Sequence, residues 1–158
     1  MQQIGFVGLG AMGSVMAPLP ARAGFTVLGF DTAAQRPDVP DVAAVTSLAD
    51  IVACDAIITM LPDGAVVTAV ATALAEAGFR GLLIDMSSSH PDDTIKLGKT
   101  LTANGISLID APVSGGVTKA AAGTLMVMAG GGADDIAAAH ALIAVSYTHL
   151  TLPTIYSV

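Results

Sequence analysis

A glycine-rich turn held between two apolar runs constrains this chain more than any other feature. Ile4-Gly5-Phe6-Val7 leads directly into Gly8-Leu9-Gly10-Ala11-Met12-Gly13. A second run, Phe25-Thr26-Val27-Leu28-Gly29-Phe30, then ends on Asp31, 18 residues after Gly13. The order is strand, glycine turn, helix, strand, acid, which is the order a dinucleotide site requires. The first glycine permits a tight turn, the second lets backbone approach a pyrophosphate, and the third lets helix and strand pack closely. A pyrophosphate at that helix start meets free N–H groups and the positive end of the helix dipole. The acid is at the spacing expected of the residue that holds the adenosine ribose hydroxyls. With 17 glycines in 158 residues, a chance glycine turn is the alternative, and the agreement of the flanking elements argues against it.

That unit repeats in outline. Short β-like runs alternate with alanine-rich helical stretches, the pattern of a parallel α/β sheet. Strands are expected near 2–7, 26–31, 43–46, 56–61, 82–85, 106–111 and 124–129. Helices are expected near 11–22, 47–53, 64–77, 92–103 and 133–144. Ser47 and Asp92 read as helix N-caps, and Gly78 and Gly105 as helix stops. Pro18 and Pro20 each remove a backbone donor inside the first helix, so a kink or early end is expected there. The predicted fold is a Rossmann-type, doubly wound α/β domain with a mostly parallel sheet, and the length fits a single domain.

Composition narrows the partners. Six Lys and Arg against 13 Asp and Glu give a net charge of −7, so no basic stripe is available for nucleic acid. The single cysteine, Cys54, excludes an intrachain disulfide and is compatible with a reducing, cytoplasmic compartment. Residues 1–23 lack the positive start of a signal peptide. Residues 136–158 carry no Asp, Glu, Lys or Arg, but His140, Ser146, Thr148, His149, Thr151, Pro153 and Thr154 break any apolar span. No membrane span is expected, and no His, Cys, Asp and Glu spacing suggests a metal. His90 and His140 read as surface histidines, and Cys54 as a packed residue.

The alanine-rich pattern stops at Val145, and both tyrosines lie beyond it. The run 146–158 resembles a tail found at the ends of unrelated predicted proteins, as where a gene runs into vector sequence; an ordinary β-hairpin tail is the alternative. The expected organisation is therefore a dinucleotide-binding domain over 1–145 and a non-native tail over 146–158.

Three further loops follow strand ends, where doubly wound sheets place ligands. They are Met60-Leu61-Pro62-Asp63-Gly64, Asp85-Met86-Ser87-Ser88-Ser89-His90-Pro91, and Asp110-Ala111-Pro112-Val113-Ser114-Gly115-Gly116. With the glycine turn, these motifs make residues 2 to about 144 resemble the nucleotide-binding domain of the β-hydroxyacid dehydrogenases. That family includes 3-hydroxyisobutyrate, tartronate semialdehyde and 6-phosphogluconate dehydrogenases. The resemblance implies that Gly8, Leu9, Gly10, Ala11, Met12 and Gly13 cradle the pyrophosphate. It implies that Leu61 and Pro62 line the ribose and nicotinamide side, with Ser88 near the nicotinamide end. It also implies that Ser114, Gly115 and Gly116 contact the carboxylate and hydroxyl of a small substrate. A hydroxyl beside closely spaced glycine amides suits an anion independently. The plainer alternatives are that Leu61-Pro62 merely ends a strand, Ser87 to Ser89 cap the next helix, and Gly115-Gly116 is a turn.

Asp31 favours NAD, because a carboxylate accepts from ribose hydroxyls and repels the extra phosphate of NADP. NADP-preferring members of the family tend to have Asn-Arg-Thr there; Arg36 is the nearest basic residue here. The family's proton-transfer lysine lies in a GxxxKxxN-type segment of a following helical domain, which often also forms the dimer. No such segment occurs here, so no catalytic residue is assigned to the chain, and Lys96, Lys99 and Lys119 do not match it. The resemblance implies an oxidoreductase of 3-hydroxyisobutyrate type, inactive in this half alone and homo-oligomeric when whole. Rival readings are a tartronate or succinic semialdehyde reductase, a threonate dehydrogenase, an imine reductase, or a non-catalytic dinucleotide-binding module.

Overall fold

The computed structural model describes residues 2–33 and 38–151, the side chains of 147–151 excepted. Strands β1 (Gln3–Val7), β2 (Thr26–Phe30), β3 (Ala43–Ala44), β4 (Ala56–Thr59), β5 (Leu82–Asp85) and β6 (Ser107–Asp110) form one sheet in the order β3-β2-β1-β4-β5-β6. Every pairing in it is parallel. Parallel sheets are covered on both faces, so their central strands read as unbroken apolar runs. Ala56-Ile57-Ile58-Thr59 and Leu82-Leu83-Ile84-Asp85 are such runs, and every residue in them is buried.

Alternate residues of one strand point to opposite faces, and the core divides accordingly. Phe6, Ile58 and Ile84 pack with Met16, Leu142 and Ile143 on one face. Ile57 and Leu83 pack with Leu74, Phe79 and Leu101 on the other. The first face is covered by α1 (Gly13–Met16), α2 (Pro18–Arg22) and α6 (Ala133–Ala144), the second by α3 (Gly64–Glu76) and α4 (Pro91–Ala103).

Several local expectations need correction. The helix expected over 11–22 is two pieces joined at Ala17, whose backbone stays helical (φ −57, ψ −32). Pro18 and Pro20 lack the N–H groups that would continue the ladder, so the chain keeps its course but loses hydrogen bonds. The helix expected over 47–53 is a short 3-10 turn, Leu48–Ile51. Its predicted cap does form: Ala49 N–H donates to Ser47 Oγ at 3.1 Å, and Ser47 N–H to Asp50 Oδ2 at 3.0 Å. Asp92 is not the cap of α4; His90 is, with its Nδ1 accepting from Asp92 N–H at 3.3 Å and Pro91 in the first turn.

The run expected near 124–129 forms β8 (Leu125–Met128), but outside the main sheet. It pairs antiparallel with β7 (Val113–Ser114) and parallel with β9 (Tyr147–Thr151) in a second, three-stranded sheet. A short helix, α5 (Gly116–Ala121), connects β7 to β8. The expected tail thus begins at β9, and its residues 152–158 lie outside the described residues. Among the described residues no helix is long and apolar enough to cross a membrane.

Leu74 is fully buried on the α3 side of the sheet, away from the strand ends that carry the motifs. Leu74→Ala is expected to lower unfolding free energy by about 2–5 kcal/mol, the range for a buried leucine cavity. Urea denaturation of the two proteins checks it.

Candidate functional site

All strands of the main sheet run the same way, so Val7, Phe30, Thr59, Asp85 and Asp110 end on one edge. The winding direction reverses between β1 and β4, which lie side by side. That reversal opens a crevice at the carboxyl ends of the strands, the place where open α/β sheets take ligands. The glycine turn after β1 and the Met60–Pro62 loop after β4 flank it.

The turn tolerates no side chain at two of its glycines. Gly8 has φ +95, and a Cβ on it would overlap the Met60 carbonyl oxygen and lie 3.0 Å from Leu61 Cδ2. A Cβ on Gly13 would overlap the Gly8 carbonyl oxygen. Gly10 differs, since nothing of the protein lies within 4 Å of a Cβ built there. Its exposed backbone faces open space. Ser14 N–H donates to Gly10 O at 2.9 Å and Met16 N–H to Met12 O at 3.1 Å, so helical bonding starts inside the motif. Among the described residues, the N–H groups of Gly10, Ala11 and Met12 donate to no protein acceptor. Leu9 points inward and is buried against Gly29. Open donors beside a glycine surface at a helix start fit a pyrophosphate.

Asp31, just past β2, faces this turn. Its Oδ2 accepts from Leu9 N–H at 2.6 Å and its Oδ1 from Ala33 N–H at 2.7 Å. Each carboxylate oxygen has more than one acceptor site, so capacity for ribose hydroxyls remains. Arg36 lies outside the described residues.

The loops after β4 and β5 are tied together. Leu61 N–H donates to Ser87 Oγ at 2.9 Å. Asp85, buried at the end of β5, accepts at Oδ1 from the Thr59 hydroxyl (2.8 Å) and Ser87 N–H (3.1 Å), and at Oδ2 from the Ser89 hydroxyl (3.2 Å). Ser88 is exposed between buried Ser87 and half-buried Ser89, and Pro62 is exposed beside half-buried Leu61. Thr59, Ser87 and Asp85 were given no individual role by sequence reasoning. A polar residue closing each of two adjacent apolar runs is the signal that could have found Thr59 and Asp85.

Ser114 ends β7, Gly115 takes φ +140, and Gly116 opens α5. The substrate-side candidates therefore stand on the second sheet. Ala111 N–H extends the β5–β6 ladder on Asp85 O at 2.7 Å, and the second sheet joins the first through the Asp110–Gly130 bridge and a shared core that holds Leu125 and Val127. The Lys119 stem lies over Gly115, whereas Lys96 pairs loosely with Asp93 at 4.0 Å. Cys54 is buried, and burial followed by the nearby Asp55 charge pushes its thiol up to about 11, which suits packing and not nucleophilic work.

Known proteins resemble this chain in sequence and fold. Residues 3–150 match the family model described as the NAD binding domain of 6-phosphogluconate dehydrogenase. The chain is 38% identical over 138 residues to 2-(hydroxymethyl)glutarate dehydrogenase of Eubacterium barkeri, a match covering 81% of this chain and 45% of the relative. It is 35% identical over 150 residues to the NAD-dependent L-serine dehydrogenase of Pseudomonas aeruginosa, covering 90% and 50%. The structure of Mycobacterium tuberculosis 3-hydroxyisobutyrate dehydrogenase with L-serine superposes with a TM-score of 0.87 at 34% identity, covering 95% of this chain and 53% of that one. The chain thus spans about half the length of the curated relatives it matches.

Burial, and next the neighbouring Asp85 charge, push the Asp110 carboxyl from its ordinary 3.8 up to about 6. The folded protein then binds this proton more tightly than the unfolded chain, so stability falls as pH rises from about 4 to about 6. Asp110→Asn is expected to flatten that slope. Above pH 6 it should raise stability by at most about 3 kcal/mol, at about 1.4 kcal/mol per tenfold change in proton affinity. Unfolding midpoints measured across this pH range check both effects.

Proposed function

This chain belongs to the family of the NAD binding domain of 6-phosphogluconate dehydrogenase, and we propose that it is the cofactor-binding part of an NAD-dependent 3-hydroxyacid dehydrogenase. Its relatives are named as dehydrogenases, so the family is one of oxidoreductases. In this reading the cofactor is NAD, and the substrate is a small 3-hydroxy acid of the 3-hydroxyisobutyrate type or its semialdehyde. L-serine, which is named with two similar proteins, is also a carboxylate with a hydroxyl on its third carbon. The site of action is cytoplasmic and the working form a homo-oligomer.

The single observation that carries the cofactor assignment is Asp31 accepting from Leu9 N–H inside the glycine turn at 2.6 Å. It sets a carboxylate beside the place where the adenosine ribose follows a pyrophosphate held by Gly8 to Gly13. There the remaining acceptor sites take the two ribose hydroxyls, and the charge repels a ribose phosphate. The N–H groups of Gly10, Ala11 and Met12 hold the pyrophosphate. Leu61 and Pro62 present an apolar wall to the ribose and nicotinamide, and the Ser88 hydroxyl donates or accepts at the far end. Ser114 and the Gly115 and Gly116 amides orient the substrate carboxylate and hydroxyl. When bound, the nicotinamide supplies hydride transfer. The hydroxyl proton needs its own acceptor, and no residue of this chain is assigned to it.

Titration of the 158-residue chain with each cofactor tests the reading. NAD is expected to bind more tightly than NADP, and Asp31→Asn to narrow the gap by at least about tenfold, the worth of one charge-assisted hydrogen bond or one repulsion. Equal or tighter NADP binding by the unaltered chain would overturn it. In a separate assay, incubation of the chain with NAD and 3-hydroxyisobutyrate is expected to form no NADH above background, because the family's lysine segment is not among its residues. General acid–base help alone is worth about 10²- to 10⁴-fold.

A further inference from the structure

Asp85 takes no part in the roles assigned above, yet it has the most demanding environment of any acid near the crevice. The residue is 2% exposed. A charge buried to that degree is tolerated only when hydrogen bonds replace the lost water. Three donors do so, and they come from two different elements. The Thr59 hydroxyl is at the end of β4, and Ser87 N–H and the Ser89 hydroxyl belong to the loop after β5. None of the ion pairs among the described residues includes Asp85, so the carboxylate serves here as an acceptor hub.

The arrangement extends one step further. Ser87, held at its N–H by Asp85, uses its Oγ to accept from Leu61 N–H at 2.9 Å. The hub therefore grips the β5 loop on both sides of exposed Ser88 and, through Ser87, fixes the start of the Leu61-Pro62 segment. An apolar residue would fill the strand end equally well but would leave three donors unmet. Asparagine has only one acceptor oxygen, and its amide must donate where Asp85 now accepts.

We propose that Asp85 is a positioning residue for the nicotinamide end of the cofactor, acting on Ser88 directly through its loop and on Leu61-Pro62 through Ser87. This rests on the dinucleotide reading above. The adenosine end is held by the glycine turn and Asp31, to which the hub makes no hydrogen bond; Leu61 meets the turn at Gly8. The two ends should therefore respond differently to changes at the hub.

The test uses the full 158-residue chain and two probes. NADH reports the whole cofactor through its nicotinamide fluorescence, and ADP reports the adenosine and pyrophosphate end alone. Asp85→Asn is expected to weaken NADH binding about tenfold and to change ADP binding by less than about twofold. Ser87→Ala, which removes only the acceptor of Leu61 N–H and spares the rest of the hub, is expected to do the same more mildly. It gives the answer if Asp85→Asn fails to fold. The double variant should lose less than the product of the two single losses, because both changes break one connected path. Parallel loss of ADP and NADH binding in Ser87→Ala, or no loss of either, would overturn the positioning role and leave the dinucleotide site standing. An unaltered chain that binds neither probe would overturn the dinucleotide reading and this inference with it.

Discussion

The packing of Gly13 against the carbonyl of Gly8 is the contact on which the rest of the arrangement depends. Any side chain at Gly13 would overlap that carbonyl, and any side chain at Gly8 would overlap the Met60 carbonyl. Together the two glycines let a strand, a helix start and the neighbouring strand end approach to backbone distance. The approach seats Met16 and Ala17 in the core under β1. It also leaves the N–H groups of Gly10 to Met12 without a protein acceptor among the described residues. Once β1 and β4 are adjacent with opposite winding beyond each, the loops after β2, β4 and β5 must gather on one edge.

Three acids stand on or just beyond that edge, and their surroundings separate them. Asp31 is partly exposed and held by two backbone N–H groups, which keep it oriented and leave acceptor sites open. Asp85 is buried and has three protein donors. Asp110 faces Asp85 across the β5–β6 register and is half-buried without a comparable set of donors. It answers by holding its proton to about pH 6. One residue type at three strand ends of a single sheet edge thus gives an acceptor with open sites, an inward clamp and a reluctant charge. The difference lies in the donors each strand end can reach.

Much of this was legible in the sequence, for identifiable reasons. The glycine turn and Asp31 are local signals, since the spacing of Gly8, Gly10 and Gly13 states a steric need that does not depend on distant residues. The buried strands were equally clear, because Ile57-Ile58 and Leu82-Leu83-Ile84 carry the unbroken apolar pattern of a covered sheet. The failures came where tertiary context decides. Leu125 to Met128 read as a strand, and it is one. Its alternation of buried and exposed residues already marks a sheet open on one side, unlike the fully buried β4 and β5. β7 and α5 are too short to show any period. The cap of α4 moved to His90 because Pro91 belongs in a first helical turn, which leaves the preceding residue as the cap. The polar ends of two apolar runs mark Thr59 and Asp85, but no local pattern shows that they pair, because the two are 26 positions apart.

The two sheets divide the proposed work. Cofactor candidates stand on the main sheet, where parallel strands and the glycine turn fix backbone positions to within van der Waals contact. Substrate candidates stand on β7 and the start of α5, a smaller unit. Its outward strand positions Met126 and Met128 are 49% and 40% exposed. The two units share one core, in which Ala120, Leu125 and Val127 pack with Phe6, Ile58 and Ile84, and the Asp110–Gly130 bridge ties their edges. The Asp85 backbone accepts from Ala111 N–H just past β6, while its side chain accepts from Thr59, Ser87 and Ser89. A hydride donor and acceptor must be aligned to a fraction of an ångström for transfer. A core shared by both sheets is a direct way for a fold of this kind to fix the relative positions of the proposed cofactor and substrate loops.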